Sequence, residues 1–251
     1  MAARTQEPRS RRERPAKPAL TRDGIVSTAV EIMRAEGLAK VTTRRIAQAL
    51  DTGPASLYVY VSNTAELHAL ILDRLLGTLA IPVGGPWQER IEKLLGDYTA
   101  LLYAHPELAR SALITRPRGE NQLRLAEALL DALDEGGVPP AQAAWGIDLL
   151  LQQATATAAE HSARDRTADS EGEWQALVRA VHEAPADRYP HVAALAPALV
   201  SGAPRERMRW MLHAMLVGIG AVPVPEDARP GPRPGPRPGD AAPQWTPEPT
   251  P

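Results

Sequence analysis

The stretch TTRRIAQALDTGPASLYVYV, residues 42–61, constrains the fold more than any other part of this 251-residue chain. Ile46 and Leu50 fall four positions apart, so they share one face and predict a short helix over residues 43–50. Thr42 can begin that helix, because its hydroxyl can accept a hydrogen bond from an unpaired N–H of the first turn. This part of the chain is therefore expected to be helical and half-buried.

A break and a second helix follow. The Asp-Thr-Gly segment at residues 51–53 consists of poor helix-interior residues. Pro54 suits the first position of a new helix, where a missing N–H costs nothing. Leu57 and Val61 form its inward stripe. Two short helices joined by a three-residue turn indicate a helix-turn-helix, and the alternative is a plain helical hairpin inside an all-α core.

In a helix-turn-helix the second helix lies in the DNA major groove, with its N-terminal residues at the base edges. The residues predicted to face outward from this helix are Pro54, Ala55, Ser56, Val59 and Tyr60. They are small and partly apolar, which suits contact with thymine methyl groups and a few hydroxyl hydrogen bonds.

Four segments carry a family resemblance: LTRDGIVSTAVEIMRAEGL, VTTRRIAQAL, GPASLYVYV and NTAEL, all within residues 20–79. Together they resemble the DNA-binding domain of TetR-family transcriptional regulators, whose recognition helix follows the pattern Leu-Tyr-x-His/Tyr-Phe/Val. The chain departs from the family at three positions. Asp51 stands where Gly is usual, Gly53 where a polar helix cap is frequent, and Thr64 where a phosphate-contacting Lys is common.

The resemblance implies a homodimer that binds a two-fold symmetric double-stranded DNA operator and responds to a small-molecule effector, acting as a repressor. It places Arg44 at phosphates and within reach of a guanine, Arg45 at phosphates and Tyr58 at the DNA backbone. The implied DNA-binding set is Thr42, Thr43, Arg44, Arg45, Gly53, Pro54, Ala55, Ser56, Tyr58, Val59, Tyr60, Asn63 and Thr64. No cofactor is implied.

Composition narrows the class of protein further. The chain has no cysteine, which excludes disulfides and favours a reducing cytoplasm. No run of about 18 apolar residues predicts a membrane span, and the polar, Arg-rich N-terminus does not resemble a signal peptide. Residues 1–64 contain 11 basic and 6 acidic residues, whereas residues 65–222 contain 14 and 20. A basic end on an acidic body is typical of a protein that meets a polyanion at one end.

Four parts are predicted along the chain. Residues 1–19, with six basic residues and three prolines, form a disordered basic arm that either follows DNA or is simply solvated. Residues 20–80 form the helix-turn-helix domain, and residues 86–222 form a helical effector-binding and dimerisation domain. Residues 223–251, with 11 prolines, form a disordered extended tail.

Helical spacing of apolar residues recurs through residue 222 without an alternating strand pattern, so the fold class is all-α with about nine or ten helices. Two late helices, over residues 140–161 and 205–222, carry more apolar surface than one buried face needs. The surplus residues are Leu149, Leu150, Leu151, Met208, Met211, Leu212, Met215 and Leu216. Such a surplus favours a dimer interface over the alternative of two central core helices in a monomer.

An effector pocket is expected among the helices after residue 87, apolar with a few placed polar groups. The candidates are Tyr98, Tyr103, His105, Trp145, Asp148, Gln152, Thr155 and Trp174. For His105 the alternative is a helix end, where an imidazolium suits the helix dipole.

Catalytic and metal-binding patterns are missing from the sequence. No two of the six histidines stand at a helical i+3 or i+4 spacing, and no nucleophile-elbow, P-loop or dinucleotide motif occurs. The chain is therefore expected not to be an enzyme. The alternative function is a helical ligand-binding or scaffold protein with a weakened DNA-binding domain.

Overall fold

A computed structural model describes residues 19–115, 117–164 and 170–225 of the chain. The predicted basic arm and Pro-rich tail lie outside these residues, except for their inner ends. Within the described residues there are eleven α-helices, one short 3-10 turn at Leu38–Lys40 and no strand, which confirms the all-α fold. The helices are α1 Arg22–Glu36, α2 Thr43–Ala49, α3 Pro54–Leu57, α4 Thr64–Leu76, α5 Trp87–Ala104, α6 Pro106–Ile114, α7 Glu120–Glu135, α8 Pro140–Arg164, α9 Ser170–His182, α10 Pro190–Leu199 and α11 Pro204–Ala221.

The first, second and fourth helices begin with side-chain caps. Thr21, Thr42 and Asn63 each accept a hydrogen bond from the backbone N–H three residues later, at 3.0, 3.1 and 2.8 Å. Each satisfies one donor that the first turn would otherwise leave unpaired. Gly37 ends α1 with a φ of 89°, a left-handed conformation that favours glycine. The cap that the sequence predicts at Thr42 is confirmed.

The turn between α2 and α3 explains one departure from the family pattern. Asp51 has a φ of 48°, and among the described residues other than glycine it alone has a positive φ. A left-handed backbone is why this position favours Gly. Aspartate tolerates it better than most side chains, because its short polar group can hydrogen-bond locally.

Helices α1 to α4 pack around one apolar core that contains Ile25, Ile46, Leu57 and Ile71. Leu108 of α6, which belongs to the larger helical part, is also buried in this core. The two parts of the molecule are therefore joined by packing as well as by the chain between α4 and α5.

The larger core lies among α5, α7, α8 and α11. Here α8 and α11 approach closely at Gly146, where an added Cβ would lie 2.7 Å from Cγ2 of Ile219. Gln142 of α8 donates from Nε2 to the carbonyl of Ile219 at 3.1 Å. The last turn of α11 is thus fixed against the first half of α8.

Helices α9 and α10 pack mainly on each other, and α9 has no buried residue. They occupy Ser170–His182 and Pro190–Leu199. No helix in the described part of the chain is both long and apolar enough to cross a bilayer.

Candidate functional site

The surface that the sequence assigns to DNA is built on α2, the turn after it and α3. Helix α3 is a single turn, Pro54–Leu57, shorter than the predicted 54–61. The helical path continues for one more step, because the N–H of Val61 donates to the carbonyl of Leu57 at 3.0 Å. Leu57 and Val61 are buried as predicted, and they hold α3 against α1 and α2.

Most side chains of this surface are exposed, and Thr43, Arg45 and Tyr60 are half-buried. Exposed residues are Thr42, Arg44, Gly53, Pro54, Ala55, Ser56, Tyr58, Val59, Asn63 and Thr64. Val59 is 81% exposed, so its methyl groups are available for contact with another molecule. Thr43 is half-buried at the start of α2.

Tyr60 was predicted to face outward, and this prediction is wrong. Its ring is half-buried and packs against the core of α1 to α4. The reason is helical spacing, because position 60 is three residues after Leu57 and adjacent to Val61, so it flanks the inward stripe. Tyr60 therefore has less surface to offer a duplex than the exposed residues 53–56, Tyr58 and Val59.

The two arginines of α2 stand in different environments. Arg44 is exposed, whereas Arg45 is half-buried and paired with Glu36 at the end of α1. Nη2 of Arg45 lies 2.6 Å from Oε1 of Glu36, and Nε donates to both carboxylate oxygens at 3.2 and 3.3 Å. The hydrogen bond from Arg45 lowers the pKa of the Glu36 carboxyl. Arg44 is therefore the arginine of this pair that is presented to solvent.

The start of α4 adjoins this surface. Asn63 caps the helix, and Glu66 accepts from the N–H of Ser62 at 2.8 Å. In a standard capping box Glu66 would instead accept from the N–H of Asn63 itself. The hydrogen bonds from Ser62 lower the pKa of the Glu66 carboxyl, and Arg22 of α1 pairs with it at 2.7 Å.

A cavity of about 720 Å³ opens between α5, α8 and α11. Its apolar wall consists of Leu95, Leu150, Ala154, Ala158, Met208, Met211, Leu212 and Met215. The three methionines stand at i, i+3 and i+7 on α11, so they line one face of that helix. Methionine is flexible and polarizable, and a wall of this kind adapts to apolar ligands of different shape.

Charged and polar groups surround the mouth of the cavity. Arg209 of α11 pairs with Glu92 of α5 at 2.9 Å, and Lys93 pairs with Asp97 at 2.8 Å. Gln153 lines the cavity from α8 and donates to Thr157 at 3.2 Å. An apolar interior with a polar rim is the usual arrangement of a small-molecule site.

Of the eight residues predicted to bind an effector, Tyr103 lines this cavity. Tyr98 and Thr155 are buried between α5 and α8, where their hydroxyl oxygens lie 2.8 Å apart. Thr155 also donates to the carbonyl of Leu151 at 2.7 Å. Burial raises the pKa of the Tyr98 phenol, and the hydrogen bond to Thr155 partly opposes that shift. These two polar groups satisfy each other across the helix pair.

The other five candidates lie elsewhere. His105 ends α5 and is half-buried; desolvation lowers its pKa, with a further contribution from Arg34. This favours a neutral imidazole, not the imidazolium expected at a helix end. Trp145, Asp148, Gln152 and Trp174 are exposed on α8 and α9. Their role in ligand binding stays a prediction.

Met208, Met211 and Met215, which the sequence assigns to the dimer interface, line the cavity within one subunit, and their place in a dimer stays a prediction. The periodicity of α11 was the signal, but it could not tell which neighbour that face would meet. The outer faces of α8 and α11 instead carry Trp145, Leu149, Trp210 and Val217, all exposed in the single subunit. No three His, Cys, Asp or Glu within the described ranges are placed to hold a metal ion.

An exposed helix-turn-helix surface joined to a helical domain with a ligand-sized cavity defines a DNA-binding regulator. The profile "Bacterial regulatory proteins, tetR family" matches residues 25–69, and the profile "Tetracyclin repressor-like, C-terminal domain" matches residues 82–222. The chain belongs to the TetR family of bacterial transcriptional regulators.

Three individual proteins resemble this chain in sequence or in structure. The transcriptional repressor DrrR1 of Streptomyces coeruleorubidus is 31% identical over 74% of this chain and 72% of its own length. A crystal structure of the Streptomyces transcription regulator SCO7704 has 53% identity and a TM-score of 0.71, covering 83% of this chain and 98% of that one. ActR of Streptomyces coelicolor in complex with actinorhodin has 34% identity and a TM-score of 0.68, covering 80% and 95%.

The chain spans between 52% and 73% of the length of the curated relatives that it matches. For the first of them, a transcriptional regulator of Saccharopolyspora erythraea, it spans about half. The family assignment rests on the two profiles and on DrrR1, of whose length the chain covers 72%.

Proposed function

We propose that this chain is a cytoplasmic, ligand-responsive transcriptional repressor without enzymatic activity. It binds a two-fold symmetric operator as a homodimer and leaves the operator when a small molecule occupies the cavity between α5, α8 and α11. The observation that carries the proposal is the outward face of α3, where Ser56, Tyr58 and Val59 are exposed around a buried Leu57. These side chains stand at the positions from which the second helix of a helix-turn-helix contacts base edges.

In the complex, α3 enters the major groove. Ser56 offers a hydroxyl to a base edge, and Val59 offers methyl groups to a thymine. Thr42, Thr43 and Arg45 contact phosphates at the start of α2, and Asn63 and Thr64 do so at the start of α4. Arg44 extends to a guanine, because it is exposed whereas Arg45 is held by Glu36.

The homodimer forms through the outer faces of α8 and α11. Trp145 and Leu149 stand one helical turn apart on α8, and Trp210 and Val217 stand two turns apart on α11. Burial of two tryptophans at the centre of such a seam supplies the aromatic anchors that dominate stable interfaces. Two copies are needed because each recognition helix reads one half-site.

The effector is a small organic molecule with a large apolar surface. ActR, which resembles this chain over most of its length, has been crystallised with actinorhodin. The methionine wall and the charged rim of the present cavity suit a ligand of that kind. Release of DNA follows only if the ligand binds more tightly to a conformation in which the two recognition helices no longer match the operator.

The DNA part of the proposal is tested with an operator selected from a random DNA pool by repeated binding and amplification. Val59→Glu is compared with Val83→Glu, because both valines are highly exposed, at 81% and 94%, and only Val59 lies on the recognition surface. A carboxylate against the duplex should weaken binding by about 100-fold or more. If the Val83 variant loses as much affinity as the Val59 variant, the surface is misassigned. If the unmodified chain binds DNA no better than background, the helical ligand-binding or scaffold alternative stands instead.

The effector part is tested with actinorhodin as the probe. Ala100 of α5 is exposed and lines the cavity, whereas Ala104 on the same helix is exposed and does not line it. Ala100→Trp should keep operator binding and lose release by actinorhodin, and Ala104→Trp should keep both. If Ala100→Trp is released as readily as the unmodified chain, the effector does not use this cavity.

A further inference from the structure

The end of α4 and the beginning of α7 hold each other by reciprocal capping. Helix α7 starts at Glu120 after Gly119, which provides no side-chain cap. The missing cap comes from α4, because the carboxylate of Asp73 accepts from the backbone N–H of Gln122 at 2.9 Å. Asp73 also accepts from the side-chain amide of Asn121 at 3.2 Å. Asp73 thus takes the place of an N-cap residue for a helix 47 or more positions further along the chain.

Helix α7 in turn caps the C-terminal end of α4. Arg124 donates from Nη2 to the carbonyls of Leu76, Gly77 and Leu79 at 3.1, 3.2 and 3.0 Å. These carbonyls belong to the last turn of α4 and the residues after it, which a helix end leaves poorly paired. A cation at a helix C-terminus is also favoured by the helix dipole.

The two helix ends touch without room for a side chain between them. A Cβ at Gly119 would overlap the carboxylate of Asp73, and a Cβ at Gly77 would lie 2.9 Å from Oδ1 of Asn121. The joint therefore permits little change in the angle between α4 and α7. We use the term α4–α7 joint for the contacts of Asp73 with Asn121 and Gln122 and of Arg124 with the end of α4.

The residue after Asp73 connects the joint to the rest of the DNA-binding domain. Arg74 donates to the hydroxyl of Ser27 at 3.1 Å and pairs with Asp23, both on α1. Consecutive residues of α4 are thus fixed to α7 on one side and to α1 on the other. An angular change at the joint moves the helix-turn-helix as a whole, because α1 to α4 share one core.

We propose that Asp73 and Arg124 are positioning residues that set the half-site spacing a dimer of this chain reads. The proposal rests on the proposed function. Helix α4 has 13 residues, so it is about 20 Å long at 1.5 Å per residue. A rotation of about 10° at the joint moves its far end by about 3.4 Å, which is the rise of one base pair. A joint that fixes the angle between α4 and α7 therefore fixes the half-site spacing that the dimer prefers.

The test is a spacing series that needs no effector. The operator selected by the unmodified chain is compared with versions that have one base pair removed, one added or two added between the half-sites, and with a single half-site. We expect the unmodified chain to prefer its own spacing by about tenfold. Asp73→Ala and Arg124→Ala should lower that preference to about threefold or less, while single half-site binding stays within about twofold.

Two further variants distinguish positioning from simple support of the fold. Asp73→Asn keeps an oxygen that can accept from the N–H of Gln122, so it should retain the spacing preference. Glu127→Ala removes an exposed carboxylate elsewhere on α7 and should also retain it. If one of the alanine variants melts below the assay temperature, the spacing preference of the other variant tests the proposal, because the two substitutions remove different contacts of the joint.

Two results would overturn the proposal. One is an unchanged spacing preference in the alanine variants, and the other is an equal loss of affinity at every spacing and at the single half-site. An unmodified chain that binds no DNA would instead remove the proposed function and this inference with it.

Discussion

Arg45 of α2 is held by Glu36 of α1 through both Nε and Nη2, with the shortest N–O distance at 2.6 Å. The pair fixes the start of α2 against the end of α1, immediately beside the recognition surface. It also means that a phosphate must compete with a carboxylate for this guanidinium. Glu36 therefore weakens the attraction of this surface for DNA.

Glu36→Gln should tighten DNA binding and make it more sensitive to salt. The change keeps the length of the side chain and removes its charge, so the phosphate contact of Arg45 no longer competes with a carboxylate. A full phosphate contact contributes about 0.9 to the slope of log K against log salt, so strengthening a partial one steepens the slope by up to about that amount. Operator titrations at several salt concentrations measure this slope. Glu31→Gln on the same helix makes the same change in net charge, and an equal slope in both variants would rule out a specific release of Arg45.

Arg44→Ala and Arg45→Ala should weaken DNA binding in different ways. Loss of a bidentate guanine contact at Arg44 should cost about 1–3 kcal/mol of discrimination between operator and scrambled DNA. Arg45→Ala should weaken both DNAs by a similar factor, because a phosphate contact contains no sequence information. Binding to the two DNAs at two salt concentrations separates the effects. Equal losses of discrimination in the two variants would contradict the assignment of Arg44.

Trp210→Glu should separate the subunits. Trp210 is 73% exposed on the outer face of α11, and a buried tryptophan at an interface is typically worth about 2 kcal/mol or more. Sedimentation velocity at low micromolar concentration should show a shift from dimer to monomer, with loss of operator binding. Trp174→Glu on α9 is the matched control outside the seam. A dimer that persists in the Trp210 variant would exclude this face.

The buried pair of Tyr98 and Thr155 should respond unequally to mutation. Tyr98→Phe leaves Thr155 with its bond to the carbonyl of Leu151, so the loss should be about 0.5–1.5 kcal/mol. Thr155→Val leaves the phenol hydroxyl buried without that partner and should cost about 1–3 kcal/mol. Urea unfolding measures both free energies. The reverse order would mean that the Tyr98 hydroxyl finds another acceptor.

Stability should fall as the pH drops below about 6.5, the ordinary histidine value. Burial lowers the pKa of His68 and of His105, and Arg34 lowers the pKa of His105 further. Because the unfolded chain takes up protons first, the free energy of unfolding decreases as the pH falls from that value through the folded-state pKa values. A variant with His68→Gln and His105→Gln should show a flatter profile between about pH 7.5 and pH 5.5. The exposed His213→Gln is the control, and a double variant as steep as the unmodified chain would refute the assignment.

Local chemistry made the DNA-binding domain predictable. Thr21, Thr42 and Asn63 cap helices through bonds to their own neighbours three residues on, so the sequence contains both partners. Leu57 and Val61 are buried at the spacing that their positions predict. Tyr60 was misjudged because helical spacing was applied to Leu57 and Val61 but not to the residue between them.

The cavity depends on how distant helices meet, and periodicity does not contain that information. Tyr98 and Thr155 looked like ligand contacts because each is polar in an apolar helix, yet each is the other's partner across 57 positions. The methionines of α11 were predicted to lie at the dimer interface because their face is apolar, and within one subunit they line the cavity beside α5 and α8. The contacts of Asp73 with α7 had no sequence signal, because a cap supplied by another helix leaves no local pattern.

The close contact at Gly146 bears on which parts of the molecule can move. A backbone with no Cβ lies directly against Ile219, so a larger residue at position 146 would force α8 and α11 apart. Contact this close couples the two helices, and a bound molecule that displaces one of them is expected to displace the other as well.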